Sequence, residues 1–444
     1  MNRENWKLLS INECADVIGG GTPSTKNSDY WDGNIPWISP KDLSNNKGKY
    51  ITNGERFITE LGLEKSSAKL LPANSLLFSS RAPIGYLAIN TEPVATNQGF
   101  KSLILKDEFD VEFFYYLFKQ KTEFIQGYAS GSTFQEVSGS VVKNLSFLIP
   151  PKQEQKKISN ILSKLDKKIE LNQQMNETLE EIAKTLFKSW FIDFDPVRAK
   201  LEGKHTGLSK EISDLFPVSF EDSELGEIPR GWKVRSLGDF YAVNKGLSYK
   251  GKFLTGHGMP MINLGCFGGN GNFLKGKIKP YSGEFKERHI ISKGEIAIAN
   301  TDMTQNRITL GSPIIVDEIN GNSDFLFTHH VFCLKNISDQ ENLKYFTYHT
   351  LLNPKFRGIA GNYATGTTVL ALPKDAIENF QVILPSKQIL NAFNEMVDLN
   401  FKKSKINYEE SIILGDLRDK LLPKLISGEL QISDAEDLIE EAGV

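Results

Sequence analysis

A chain of 444 residues, 40% hydrophobic and 24% charged, is too long for one ordinary core and suits two or three globular domains. A net charge of −3 excludes a protein that coats nucleic acid through bulk positive charge, and Cys14, Cys266 and Cys333, with no Cys-x-x-Cys pair, exclude a disulfide framework or thiolate metal site. No run of about 18 uncharged apolar residues occurs and MNRENWKLLS lacks the apolar stretch of a secretion signal, so the expectation is a soluble cytoplasmic protein with no membrane partner.

In chain order, residues 1–151 alternate short β-rich runs (LLFSSRAPIGYLAI, FKSLIL, NLSFLIP) with Gly, Pro, Asn and Ser, interrupted by short helical patterns such as DVEFFYYLFKQKTEF. This predicts a mixed α+β domain ending at Pro150 and Pro151. A long helix is predicted over 152–189, its line running through Ile158, Leu162, Leu165, Ile169, Asn172, Asn176, Leu179, Ala183 and Leu186 in alternating steps of four and three. Residues 190–222, punctuated by Pro196 and Pro217, read as an irregular connector. Residues 223–386 repeat the mixed pattern in GEIAIAN, SPIIV, HHVFCL and NFQVILP. A second long helix is predicted over 387–426, with a more polar line through Phe393, Val397, Asn400, Asn407 and Leu414 and a second apolar stripe at Met396, Leu399, Ile406 and Leu417. The tail, 427–444, is acidic and is expected to be partly mobile at its end.

The two halves are copies. WKLLSINECADVIGG from Trp6 matches WKVRSLGDFYAVNKG from Trp232, SGSTF from Ser130 matches TGTTV from Thr365, and LIPPKQEQKKI from Leu148 matches ILPSKQILNAF from Ile383. Shared ends with divergent middles describe two modules on a common frame. At ~1.5 Å per residue each long helix would span about 57 to 60 Å, so the helices must pack on each other or on a partner. If they run antiparallel about a pseudo-twofold axis, Asn172 meets its counterpart Asn407 and the pair fixes register; otherwise both face solvent.

Catalytic signatures fail one by one. GLSYKGKF from Gly246 and GNFLKGKI from Gly271 satisfy G-x-x-x-x-G-K, yet Phe253 and Ile278 stand where a magnesium-binding Ser or Thr belongs. NPKF, Asn353 to Phe356, departs from the Asn-Pro-Pro-aromatic pattern of amino-methyltransferases at Lys355, and no glycine-rich cofactor loop precedes it. His329 and His330, read as neighbours in a strand, would point to opposite faces and chelate no metal together. No catalytic residue or metal site is assigned, and a binding and scaffolding role follows. Any nucleic-acid surface must be local, since residues 223–386 carry +4 while 387–444 carry −5.

Four segments, NLSFLIPPKQEQKKISNILSKLDKKIE, LFKSWFIDFDPVRAK, ELGEIPRGWKVRSLGDF and LRDKLLPKLISGEL, together resemble the specificity subunit of type I restriction-modification systems over nearly the whole chain. The resemblance implies a non-catalytic subunit with two target-recognition domains in tandem, each reading half of a split double-stranded DNA target. Each domain is followed by a long helix, and the two helices form an antiparallel coiled coil that docks two methyltransferase subunits. Restriction subunits would complete the complex, and S-adenosylmethionine, ATP and magnesium would belong to those partners, none to this chain. Side chains suited to base edges in exposed-looking turns are Lys26, Lys41, Arg81, Asn97, Gln98, Ser132 and Thr133 in the first module. The second offers Lys245, Lys250, Lys252, Asn300, Asn306, Arg307, Thr367 and Thr368. Tyr30, Trp31 and Trp37 are candidates for stacking, or for core. Rival readings are a coiled-coil adaptor with two protein-binding modules and a stand-alone DNA methyltransferase or nuclease.

Overall fold

A computed structural model describes residues 5–46, 48–131, 135–302, 308–363 and 370–443. The chain divides into two compact units: Met1–Asn176 with Lys405–Val444, and Glu177–Ser404. Each unit therefore holds one module, part of the first long helix and part of the second.

In the first unit a five-stranded sheet runs in the order Ala15–Gly19, Lys101–Leu105, Leu76–Ser80, Ile84–Asn90, Tyr50–Ile51, beside a three-stranded sheet of Arg56–Ile58, Trp31–Ile38 and Ala95–Thr96. The helix Val111–Gln126 starts where the Asp110 side chain accepts from Phe113 N at 2.8 Å, satisfying a first-turn N–H. It buries Phe113, Phe114, Tyr116 and Phe118, with the Phe118 ring 5.4 Å from that of Phe78. Trp31 and Trp37 are core residues, packed edge to face at 5.2 Å, and Trp37 Nε1 donates to Gly21 O at 2.9 Å. The module's ends meet where Lys7–Ser10 pairs antiparallel with Ser146–Ile149. The helix Lys152–Phe191 begins directly after Pro151, whose carbonyl accepts from Glu154 N and Gln155 N.

The second unit closes in the same way, Lys233–Ser236 pairing with Gln381–Leu384 before the helix Lys387–Ser427. Its interior differs. Two four-stranded sheets replace the five and three, in the orders Tyr241–Lys245, Val331–Asn336, Ile296–Ala299, Pro313–Ile315 and Lys279–Tyr281, Met259–Ile262, Asp324–Phe327, Ile290–Ser292. Neither phosphate-loop mimic lies between a strand and a long helix: their lysines fall in short 3-10 turns at Gly251–Phe253 and Lys275–Lys277.

The long helices pack antiparallel within each unit. In the first, Ile158, Leu162 and Leu165 share a core with Leu414, Leu421 and Leu425, and Arg418 Nη1 meets Asp166 Oδ1 at 2.7 Å. In the second, Phe393 lies 5.0 Å from Phe191 and 6.1 Å from both Phe187 and Trp190. Asn172 and Asn407 are both buried on the seam, at 5% and 1% exposure, so neither faces solvent, and they do not pair with each other. Asn172 Nδ2 donates to Glu410 at 2.8 Å and Asn407 Nδ2 to Asn176 at 2.9 Å. The residue opposite Asn407 is thus one helical turn beyond Asn172.

The connector, read as irregular, is structured, and the tail carries a helix of its own. The connector contains helices Asp195–Leu201 and Lys210–Ser213, and a hairpin of Phe220–Ser223 with Gly226–Pro229 crosses its expected end at residue 222. It is held by Phe194, Val197 and Phe216 in the second unit's core, Phe216 lying 5.0 Å from Trp190. The acidic tail forms the helix Ile432–Glu441, which turns Ala435 and Ile439 into the first unit's core and leaves its carboxylates outside.

Candidate nucleic-acid interface

Two turns meet at one end of the first module's five-stranded sheet. One follows Leu76–Ser80 and carries Arg81; the other, Asn97–Gly99, precedes Lys101–Leu105. Ser80 N donates to Gly99 O at 2.7 Å, Phe100 N to Asn97 O at 3.2 Å and Asn97 N to Ile38 O at 2.9 Å. The chain leaving Ala15–Gly19 joins them through Gly20 N to Phe100 O at 3.4 Å and Gly21 N to Thr96 O at 2.8 Å. A return segment closes the far side, with Val137 N on Ser80 O at 3.0 Å and a bridge between Arg81 and Glu136.

The second module builds the same frame from other residues. Asn300 N donates to His330 O at 3.0 Å, Val331 N to Thr328 O at 2.8 Å and Thr328 N to Ile262 O at 3.0 Å. Gly246 N reaches Val331 O at 3.3 Å, Leu247 N reaches Phe327 O at 2.8 Å and Leu372 N reaches Asn300 O at 2.7 Å. The repeated glycines have a cause: a Cβ on Gly20 would stand 1.9 Å from Asn97 O, and one on Gly246 would stand 2.3 Å from Phe327 O and Thr328 O. The repeated loops lead into the return segments, but Ser132, Thr133, Thr367 and Thr368 lie outside the described residues, as do Asn306 and Arg307.

The side chains on this frame differ in chemistry. In the first module Glu136 binds Lys101 Nζ at 2.9 Å and approaches Arg81 Nη1 at 3.8 Å. Asn97 Oδ1 accepts from Gly99 N at 2.8 Å, which makes it a turn former, and Gln98 accepts from the Thr22 hydroxyl. In the second module Thr301 Oγ1 and His330 Nδ1 are 3.0 Å apart, and the His329 and His330 rings lie 3.9 Å apart. Burial first, then the His329 ring and Lys245, hold His330 below the ordinary imidazole value of 6.5, which favours the neutral ring. The two histidines occupy a turn ahead of the strand Val331–Asn336 and face each other, which corrects their assignment to opposite faces of a strand. Among the described residues no group of three His, Cys, Asp or Glu side chains is placed to hold a metal.

Asn300 is also corrected. Its side chain is 4% exposed, with Nδ2 on His329 O at 3.1 Å and Oδ1 without a partner, where an exposed turn was expected. Lys245 is exposed at the end of its strand, close enough to the imidazole pair to disfavour the charged form of His330. Lys26, Lys250 and Lys252 are exposed and make no hydrogen bond or ion pair to either turn, while Lys41 is paired with Glu55 at 2.7 Å. The frame thus gathers Arg81, Asn97 and Gln98 in one module and Lys245 and Asn300 in the other. Lys101, Glu136, Thr301 and His330 were missed by sequence reasoning, although aligning Asn97–Phe100 with Thr328–Val331 would have found the last of them.

The family model described as the type I restriction modification DNA specificity domain matches this chain twice, over residues 3–181 and 229–407. The chain belongs to the type I restriction-modification DNA specificity family. Each specificity domain covers one module and continues into its long helix. Among curated relatives, the chain is 34% identical to the type I restriction enzyme MjaIX specificity subunit of Methanocaldococcus jannaschii, over 97% of this chain and 95% of that protein. It is 27% identical to the HindI specificity subunit of Haemophilus influenzae, over 89% and 94%. The crystal structure of the type I restriction-modification S subunit from M. genitalium shares the fold, with a TM-score of 0.57, 17% identity and coverage of 96% and 97%. No described helix of this family member is long and apolar enough to cross a membrane.

Proposed function

We propose that this chain is the DNA-reading subunit of a type I restriction-modification complex, each module recognising one half of a bipartite duplex target. The observation that carries the reading is the pair of matching backbone frames, six equivalent hydrogen bonds in each module, bearing unlike side chains. A common frame lets each module meet the duplex and its partner in the same way, and different side chains let each select its own bases.

The helix pair carries the partners in this reading. In the first unit Leu171, Met175, Ile406 and Ile413 stand in solvent beside the seam, and in the second Ile182 and Leu399 do, at 45% to 67% exposure. Such side chains fit an apolar contact with a methyltransferase subunit. Methyl transfer and cleavage, with S-adenosylmethionine, ATP and magnesium, are assigned to partner subunits. The test is to assemble the chain with its methyltransferase and map methylated adenines. A split motif with an unread gap supports the reading, and methylation or cleavage by the chain alone contradicts it.

A further inference from the structure

The two frames differ most sharply at one contact. In the first module the strand-end residue is Arg81 and the turn residue facing it is Gly99; a Cβ on Gly99 would meet Arg81 Cγ at 3.3 Å and Nε at 3.5 Å, so the arginine stem lies over the glycine. In the second module the same two positions hold Thr301 and His330, whose Oγ1 and Nδ1 are 3.0 Å apart. The equivalence rests on the backbone: Ser80 N to Gly99 O corresponds to Asn300 N to His330 O, and the bridge Arg81–Glu136 corresponds to Thr301–Ala371. A large cation over a small residue has become a small hydroxyl under a large ring. The group presented changes from a guanidinium to an imidazole.

We infer that this contact is the base-selecting position of each module, with Arg81 reading a guanine in one half-site and His330 reading a base edge in the other. The inference rests on the DNA-reading function proposed above and assigns it to residues. Arg81 is held like a reader and unlike a phosphate clamp. Its side chain is one-third exposed, its stem is laid on Gly99, and its Nη1 faces Glu136 at 3.8 Å. Glu136 also binds Lys101 at 2.9 Å, so the two cations share one carboxylate and the cluster draws a phosphate backbone less strongly than two unpaired cations would. The remaining guanidinium N–H groups form a planar fork of the kind that matches guanine O6 and N7. Glu136 is a positioning residue. In the second module Thr301 occupies Nδ1 of His330, so Nε2 is the ring nitrogen left to hydrogen-bond a base.

The test uses the full chain assembled with its methyltransferase partner and compares methylated-adenine motifs for the wild type, Arg81→Lys and His330→Gln. Arg81→Lys keeps the charge but loses the fork. It is expected to lower discrimination for guanine at one position by roughly tenfold or more, leaving the gap and the other half-site intact. His330→Gln is expected to alter one position in the opposite half-site. The unaltered half-site in each variant reports that the protein has folded. An unchanged motif in either variant, or changes by both in the same half-site, overturns the inference. A uniform loss of methylation over all sequences assigns the residue to phosphate contact or folding and overturns it equally. A wild-type assembly with no split motif would instead remove the functional reading on which the inference stands.

Discussion

Gly20 and Gly246 show how a single missing atom fixes a functional turn. Each leaves room for a carbonyl that a Cβ would strike, so Gly20→Ala and Gly246→Ala are each expected to destabilise their own unit by about 1–3 kcal/mol, measured by urea denaturation. His349 tests burial at the same scale. It is 4% exposed, neither ring nitrogen has a partner, its ring lies 5.7 Å from Phe187, and burial pushes its pKa down to about 3. The unfolded chain, with an imidazole near 6.5, takes up a proton the folded chain refuses, so stability falls as pH drops from 6.5 towards 3 and is unaffected by this group above that range. The loss approaches about 1.4 kcal/mol per pH unit. His349→Leu should therefore show a flatter loss of stability between pH 7 and 5 than the wild type, and equal slopes would refute the assignment.

At the scale of elements, the long helices were the most legible part of the sequence because a four-and-three apolar spacing has one structural solution. It identified Phe393 and Val397 as seam residues, and both are fully buried. It did not identify the partner of Asn172, because heptad phase gives a residue's face while its partner depends on the axial offset between two chains. That offset places Asn407 opposite Asn176. The connector and tail escaped for another reason: Phe194, Val197 and Phe216, or Ala435 and Ile439, are too few to make a period, and only the core they enter explains them. Phe393→Ala is expected to cost about 3–5 kcal/mol in denaturation experiments, since it leaves a hole among the four aromatic rings that surround Phe393. Leu399→Ala, on a side chain 67% exposed, should change stability by no more than about 0.5 kcal/mol yet weaken co-purification of the methyltransferase.

At the scale of the molecule, the repeat alone makes the two-module plan legible in the sequence, because Trp6 and Trp232, Gly20 and Gly246, and the paired helix starts recur in order. The reading surface was less legible. Arg81 and Gln98 are visible as candidates, but Glu136 and Lys101 come to Arg81 from 55 and 20 positions further along the chain, and no local pattern announces such a meeting. Asn300 was misplaced because an Asn after a β-run looks like a turn residue, whereas here it is sealed beneath the histidine turn. The central claim is that each module reads one half-site independently. The direct measurement is to replace residues 232–386 with a second copy of residues 6–151 and map methylated adenines in DNA modified by the assembled complex. Independent modules give a target made of two copies of one wild-type half-site with the other half-site gone; persistence of the original asymmetric target would mean that the modules do not read independently.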